Sequence, residues 1–286
     1  MFETAELAHR IDKATWKAEE PQLRQDLLDA QFELLSRQQF PVLILLAGVE
    51  GAGKSEIGNL LNEWMDPRHI HTHAFDLPGN EENERPYMYR YWTCLPPKGC
   101  IGIYFGAWHS MPVVTRAFDR ISKDEFDHYI ETAQRMERML TDEGMLLIKF
   151  WFHLTKDQQK KRLEELASKK ATRWRVGEHE WSYFARYDDF VKASDHFVRE
   201  TSTGQARWYV VNGSDPRYRA LTVGKTLLTA IRTRLAEGAS AAPPVAAPPL
   251  IPSVDSPSLL HNRELDRELA EEKYEKQLEK WQGRLN

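Results

Sequence analysis

An unbroken apolar run, Phe40-Pro41-Val42-Leu43-Ile44-Leu45-Leu46-Ala47, stands out from a chain otherwise patterned by alternation. A short continuous run of this kind predicts a strand buried on both faces, as in a parallel sheet. Before it, Leu7–Gln38 is polar and charged, with Leu23, Leu27, Ala30, Phe32 and Leu34 at helical spacing, which predicts a lead-in helix. After it, Glu56–Met65 reads as a helix and His69–Phe75 alternates as a second strand. Asp76–Glu84 is turn-rich, Arg85–Leu95 looks helical and aromatic, and Cys100–Ala107 is the third strand. Ser122–Thr141 places Phe126, Ile130, Ala133, Met136 and Leu140 on one helical stripe, a core face. Met145–Leu154 is a fourth strand, and Thr155–Ser168 a basic helix opening on an N-cap threonine. Trp181–Glu200 is helical, Trp208–Asn212 is the fifth strand, and Asp215–Leu235 the closing helix. Strand and helix repeated about five times predict an α/β fold with a parallel sheet flanked by helices. Ligands of such sheets lie at the carboxyl ends of the strands.

The residues following the apolar run carry the clearest chemistry. Gly48-Val49-Glu50-Gly51-Ala52-Gly53-Lys54-Ser55 fits G-x-x-x-x-G-K-[ST], the phosphate-binding P-loop. Gly48, Gly51 and Gly53 let the loop curl and turn its N–H groups inward. The helix starting near Gly53 adds the positive end of its dipole. Lys54 brings an ammonium to the phosphates, and Ser55 can hold Mg²⁺. His69, His71 and His73 recur every second residue and can ligate a metal, but no acid or Cys accompanies them, which favours a solvated edge strand. Lys169-Lys170-Ala171-Thr172-Arg173-Trp174-Arg175 is either a solvated helix end or a phosphate-contacting lid.

Composition narrows the function. The 286 residues suit one large domain, or one domain with appendages. A net charge of -4 gives no bulk reason to expect nucleic acid or a membrane, so an anionic substrate needs a local basic cluster. Two cysteines, Cys94 and Cys100, are too sparse for a disulfide framework and suggest a reducing compartment. Met1–Arg10 carries acids and no apolar core, and no apolar run reaches the roughly 18 residues of a membrane span, so a cytoplasmic protein is expected. Residues 1–235 form the expected domain. Residues 236–260, rich in Ala, Pro and Ser, read as a linker. Residues 261–286 are helical and resemble the start of the chain, with Tyr274, Leu278, Gln282 and Leu285 in line with Leu23, Leu27, Gln31 and Leu34. A second homologous domain, or a homo-oligomer, is the expected partner.

The chain resembles the polyphosphate kinase 2 family, most closely the first half of its tandem members, from about Leu7 to Leu235. The resemblance rests on the P-loop, on Tyr89-Arg90-Tyr91-Trp92 with Leu95-Pro96-Pro97-Lys98-Gly99, and on Lys149-Phe150-Trp151-Phe152-His153-Leu154. It also includes Arg173-Trp174-Arg175, and Glu200-Thr201-Ser202-Thr203 with Trp208-Tyr209-Val210-Val211. It implies a three-layer P-loop kinase-like fold with a helical lid, and Mg²⁺-dependent phosphoryl transfer between polyphosphate and a nucleotide, AMP or ADP. Lys54 takes the place of the phosphate-gripping lysine. Glu50 stands where the family has an aspartate that helps activate the nucleotide's phosphate and bind metal. Arg173 and Arg175 match the lid's basic positions, Arg173 with a catalytic part, and Arg90 matches the arginine of the aromatic segment. Ser55, unusual for the family, offers a further metal ligand. One stretch departs. Where the family has Phe-Asp-Arg-Ser-Trp-Tyr after the third strand, this chain has Tyr104-Phe105-Gly106-Ala107-Trp108-His109. A metal anchor and a phosphate-directed cation are absent, so weakened or lost catalysis is expected in this half. The alternatives are a non-catalytic binding or structural half, or an unrelated P-loop small-molecule kinase.

Overall fold

Along β1 (Val42–Gly48) the apolar run divides by parity. Val42, Ile44 and Leu46 enter one hydrophobic cluster, and Leu43 and Leu45 enter another on the opposite face. A strand buried on both faces requires helices above and below it. The structure, a computed structural model of the chain, describes residues 2–7, 9–76, 78–238 and 270–285. They form two separate units, divided after Ala242.

In the first unit β1 is central in a five-stranded parallel sheet of order β2-β3-β1-β4-β5, with β2 (Ile70–Ala74), β3 (Ile101–Phe105), β4 (Leu146–His153) and β5 (Trp208–Asn212). One face packs against α2 (Lys13–Arg37), α3 (Lys54–Trp64) and α11 (Pro216–Glu237). The other packs against α6 (Ser110–Ala117), α7 (Lys123–Asp142) and α10 (Tyr187–Thr201). The stripe predicted for α7 is buried throughout, and Ser122 caps it reciprocally with Glu125. Thr155 caps α8 (Lys156–Ser168) in the same way with Gln158.

Several boundaries differ from the sequence reading. The lead-in helix begins at Lys13, because the Asp12 carboxylate accepts from the N–H groups of Ala14 and Thr15 and fixes the cap there. The residues before it form an arm containing α1 (Glu3–Glu6). Phe2 stacks on His153 at 4.7 Å, and the Asn212 amide donates to the Ala5 and Leu7 carbonyls. Phe32 is 47% exposed, since two residues beyond Ala30 lies about 200° around the helix. The helix expected over Arg85–Leu95 reduces to the single turn α5 (Tyr89–Trp92), and the loop expected over Asp76–Glu84 contains another, α4 (Asn80–Asn83). Pro86 has no N–H to continue a helix, and its carbonyl accepts from Tyr89 as a new turn starts. The helix expected over Trp181–Glu200 is two, α9 (Glu178–Ala185) and α10, broken at Arg186. β2 lies at the sheet edge, with His69 in a 3₁₀ turn before it, and no metal-holding group of His, Cys, Asp or Glu occurs among the described residues. Helix α11 runs through Glu237, past the expected start of the linker; positions 239–269 lie outside the described residues. In the second unit, α12 (Glu271–Leu285) carries Tyr274, Leu278 and Trp281 exposed. No described helix is long and apolar enough to cross a membrane.

Candidate active site

The P-loop leaves β1 at Gly48 and turns into α3 at Gly53, whose φ of 93° suits a residue without Cβ. A Cβ there would also fall 2.2 Å from the Arg219 guanidinium carbon. Lys54 folds back over the loop. Its ammonium donates to the Gly48 carbonyl at 2.8 Å, the Val49 carbonyl at 3.3 Å and Glu50 Oε1 at 3.1 Å.

Glu50, Gly51, Gly53, Lys54, Ser55 and Arg175 share the wall of a cavity of about 140 Å³. Gly48 joins through its carbonyl. Arg175 arrives on a 3₁₀ turn (Arg173–Arg175) that follows α8. Arg173, on the same turn, is exposed and outside this wall. Trp174 is 78% exposed, with its indole N–H on the Ala171 carbonyl.

Sequence reading missed the group that braces the loop. Glu56, in the first turn of α3, pairs with Arg162 of α8 at 2.8 Å, with Arg175 at 3.9 Å and with Arg219 of α11. Burial pulls the Arg219 pKa down while Glu56 opposes it. Glu180 of α9 also reaches this cavity, and its carboxylate accepts from the Gly177 N–H.

Arg90 lies elsewhere, in a larger cavity of about 720 Å³ at the exit of β2 and β3. Its guanidinium is 5.4 Å from the Phe75 ring centroid and pairs with Glu82 at 3.3 Å. Arg85 and Arg120 line the same cavity, with Tyr87, Tyr129 and Phe118 among its rings. Helix α9 borders both spaces: Glu180 faces the small cavity, and His179, Ser182 and Tyr183 face the large one. Burial, and then the nearby Glu50 carboxylate, raise the Tyr183 phenol above its usual range.

Two other stretches of the resemblance have structural work. Lys149 of β4 is fully buried and donates to Glu137 at 2.6 Å and the Thr201 carbonyl at 2.7 Å. The Trp108 indole donates to the same carboxylate at 3.0 Å, and Tyr87 donates to the Trp108 carbonyl at 2.8 Å. A buried network therefore runs from the sheet to the rim of the large cavity.

A family model for polyphosphate kinase 2 matches residues 10–238. A polyphosphate:AMP phosphotransferase of Pseudomonas aeruginosa is 46% identical over 285 residues, covering 100% of this chain and 58% of that protein. One of Pseudomonas syringae pv. tomato is 40% identical, covering 100% of this chain and 57% of that protein. A Pseudomonas aeruginosa PA01 crystal structure assigned to polyphosphate kinase 2 superposes with a TM-score of 0.80 at 44% identity, covering 100% of this chain and 55% of that one. The chain thus spans little more than half the length of these relatives.

Proposed function

The chain belongs to the polyphosphate kinase 2 family, and from that membership we propose that this domain moves a phosphoryl group between inorganic polyphosphate and a nucleotide, making ADP from AMP. The supporting observation is a pair of cavities of different chemistry bordered by one helix, α9. The small cavity, with Lys54, Arg175 and the inward loop N–H groups, suits the end of a polyanion. The large one suits a nucleoside monophosphate, with rings for the base and Arg85, Arg90 and Arg120 for its phosphate. Membership in the family removes the unrelated P-loop kinase from the alternatives.

The residues divide the work by charge. Lys54 gives up its loop carbonyls for donor phosphate oxygens, and Arg175 meets the charge that spreads over the transferring group. The attacking group is a phosphate oxygen of AMP, already ionised, so the site needs positioning more than a base. Glu50 and Ser55 offer hard oxygen ligands at the cavity wall, a donor set that fits Mg²⁺. A Mg²⁺ held by these two side chains would supply charge neutralisation for the phosphoryl transfer.

The departures bear on rate. The Phe105 ring packs where a Cβ on Gly58 of α3 would lie 2.4 Å from it, so the strand end holds an aromatic plug in place of a carboxylate. At Gly106, with φ of 66°, a Cβ would lie 2.5 Å from the Phe75 carbonyl oxygen, which leaves no room for an arginine. Loss of one such group costs about 10²–10³ in rate, so weak turnover is the reading adopted. The same two residues favour, as a second reading, a binding half that serves a homologous second domain beginning at residues 261–286, after a linker that follows α11.

Calorimetric titration separates the two cavities. Arg90→Ala is expected to weaken AMP roughly 10- to 100-fold and leave polyphosphate unchanged, with Lys54→Ala doing the reverse. Parallel loss of both ligands in either variant would contradict the assignment.

A further inference from the structure

The wall of the P-loop cavity is balanced charge for charge. Lys54, Arg162 and Arg175 share it with Glu50, Glu56 and Glu180. Lys54 is paired with Glu50 at 3.1 Å, and Arg162 and Arg175 are both paired with Glu56. An anion entering this space therefore meets cations that already have partners.

The two oxygens of Glu56 do different work. Oε2 accepts from Arg219, which is buried, lies closed off against Gly53 and stands outside the cavity wall. That bond ties α3 to α11. Oε1 accepts from Arg162 at 2.8 Å and lies 3.9 Å from Arg175. Two guanidinium groups from separate elements, α8 and the 3₁₀ turn, thus converge on one oxygen, as they do on an oxygen of a bound phosphate. Glu56 also sits in the first turn of α3, where the carboxylate draws on the helix dipole that favours phosphate. All three side chains of this group are about one third exposed, so a ligand can reach them. At 3.9 Å Arg175 makes no hydrogen bond to the carboxylate and is the more easily drawn away. With both oxygens turned to guanidinium groups, Glu56 is a poor metal ligand.

We infer that Glu56 is the internal counter-ion of the donor site. Its Oε1 stands in for a phosphate oxygen, positions Arg162 and Arg175 before polyphosphate binds, and surrenders them to the end of the phosphate chain. The inference rests on the reading of the P-loop cavity as the donor site. Glu56 is a positioning residue that also lowers affinity, because each phosphate oxygen that takes one of these guanidinium groups must displace a carboxylate. The exchange is one of ion pairs; no covalent bond is made or broken.

The test is calorimetric binding of tripolyphosphate to the full chain, with Glu56→Gln, Arg175→Ala, the two combined, and Lys54→Ala. Glu56→Gln keeps the shape and removes the charge. It is expected to tighten tripolyphosphate roughly threefold to tenfold and to steepen the salt dependence, since two guanidinium groups lose their internal partner. A brace that only shaped the loop would weaken binding when removed and leave the salt dependence as it was. Arg175→Ala should lose more affinity in the Glu56→Gln background than in the wild type. Glu56→Gln also strips Arg219 of its counter-charge, so Glu56→Gln/Arg219→Met is compared with Arg219→Met alone, and the same tightening is expected with the buried cation gone. Unchanged or weaker binding on loss of the Glu56 charge, while Lys54→Ala weakens it, overturns the inference and leaves the donor reading standing. Equal losses for Arg175→Ala in the two backgrounds overturn it as well. Lys54→Ala without effect overturns the donor reading, and the inference with it.

Discussion

At the scale of single residues, His109 shows how far the core tolerates a titratable group. It is buried, its Nδ1 has no partner, and it lies edge-on to Trp151 and Trp208. Burial, and then the charges of Lys54 and Lys149, push its pKa down to about 3. The unfolded chain takes up a proton near the ordinary value of 6.5, and the folded chain refuses it until about 3. Stability from this residue is therefore complete above about 6.5 and falls as pH drops through that window. At pH 5 the loss is about 2 kcal/mol. In urea unfolding, His109→Phe should lose about 2 kcal/mol less than the wild type between pH 7 and pH 5. Equal losses would contradict the assignment. Burial lowers His153 too, so some acid sensitivity remains in the variant. Residues of the P-loop cavity were legible in the sequence where spacing forces contact: Glu50, Gly51, Gly53, Lys54 and Ser55 are neighbours in one loop. Arg175 was legible as part of a basic cluster that read equally as a solvated helix end, and only the family resemblance favoured the lid. Glu56 with Arg162 and Arg219 was not, because those pairs span 106 and 163 residues.

At the scale of elements, the pair Lys149–Glu137 ties β4 to α7, and through Thr201 to α10. Burial pulls the lysine down and pushes the glutamate up, and each holds the other's charge against that cost. Glu137→Gln leaves the ammonium buried without its counter-charge, and a loss of about 3–5 kcal/mol is expected in denaturant unfolding. Glu137→Leu with Lys149→Met should recover part of it. A single-variant loss below about 1 kcal/mol would show that the pair contributes little. The central strands were readable because burial on both faces writes itself as continuous apolar sequence, as in β1 and β4, and the edge strand β2 was readable from its alternation instead. Breaks set by tertiary contacts were not. The stop between α9 and α10 falls at Arg186, whose guanidinium donates to the Ala117 carbonyl at 2.8 Å and pairs with Asp119 and Asp189. Helix α6, which supplies Ala117, was itself absent from the sequence reading.

At the scale of the whole molecule, a parallel sheet brings the β1 loop and the exits of β2 and β3 to one end, and α9 borders both cavities formed there. That placement is what turns a phosphate loop into a proposed two-substrate site. On the proposed reading, Phe105 and Gly106 leave the placement intact while lacking the carboxylate and cation that would speed the reaction. The central claim is thus a working but slow phosphotransferase site. The measurement that tests it is ADP formation by this purified chain from polyphosphate, AMP and Mg²⁺, with Lys54→Ala in parallel. Slow ADP formation that disappears in Lys54→Ala is the predicted result. ADP formed equally by both proteins, or by neither while both ligands bind, would contradict it.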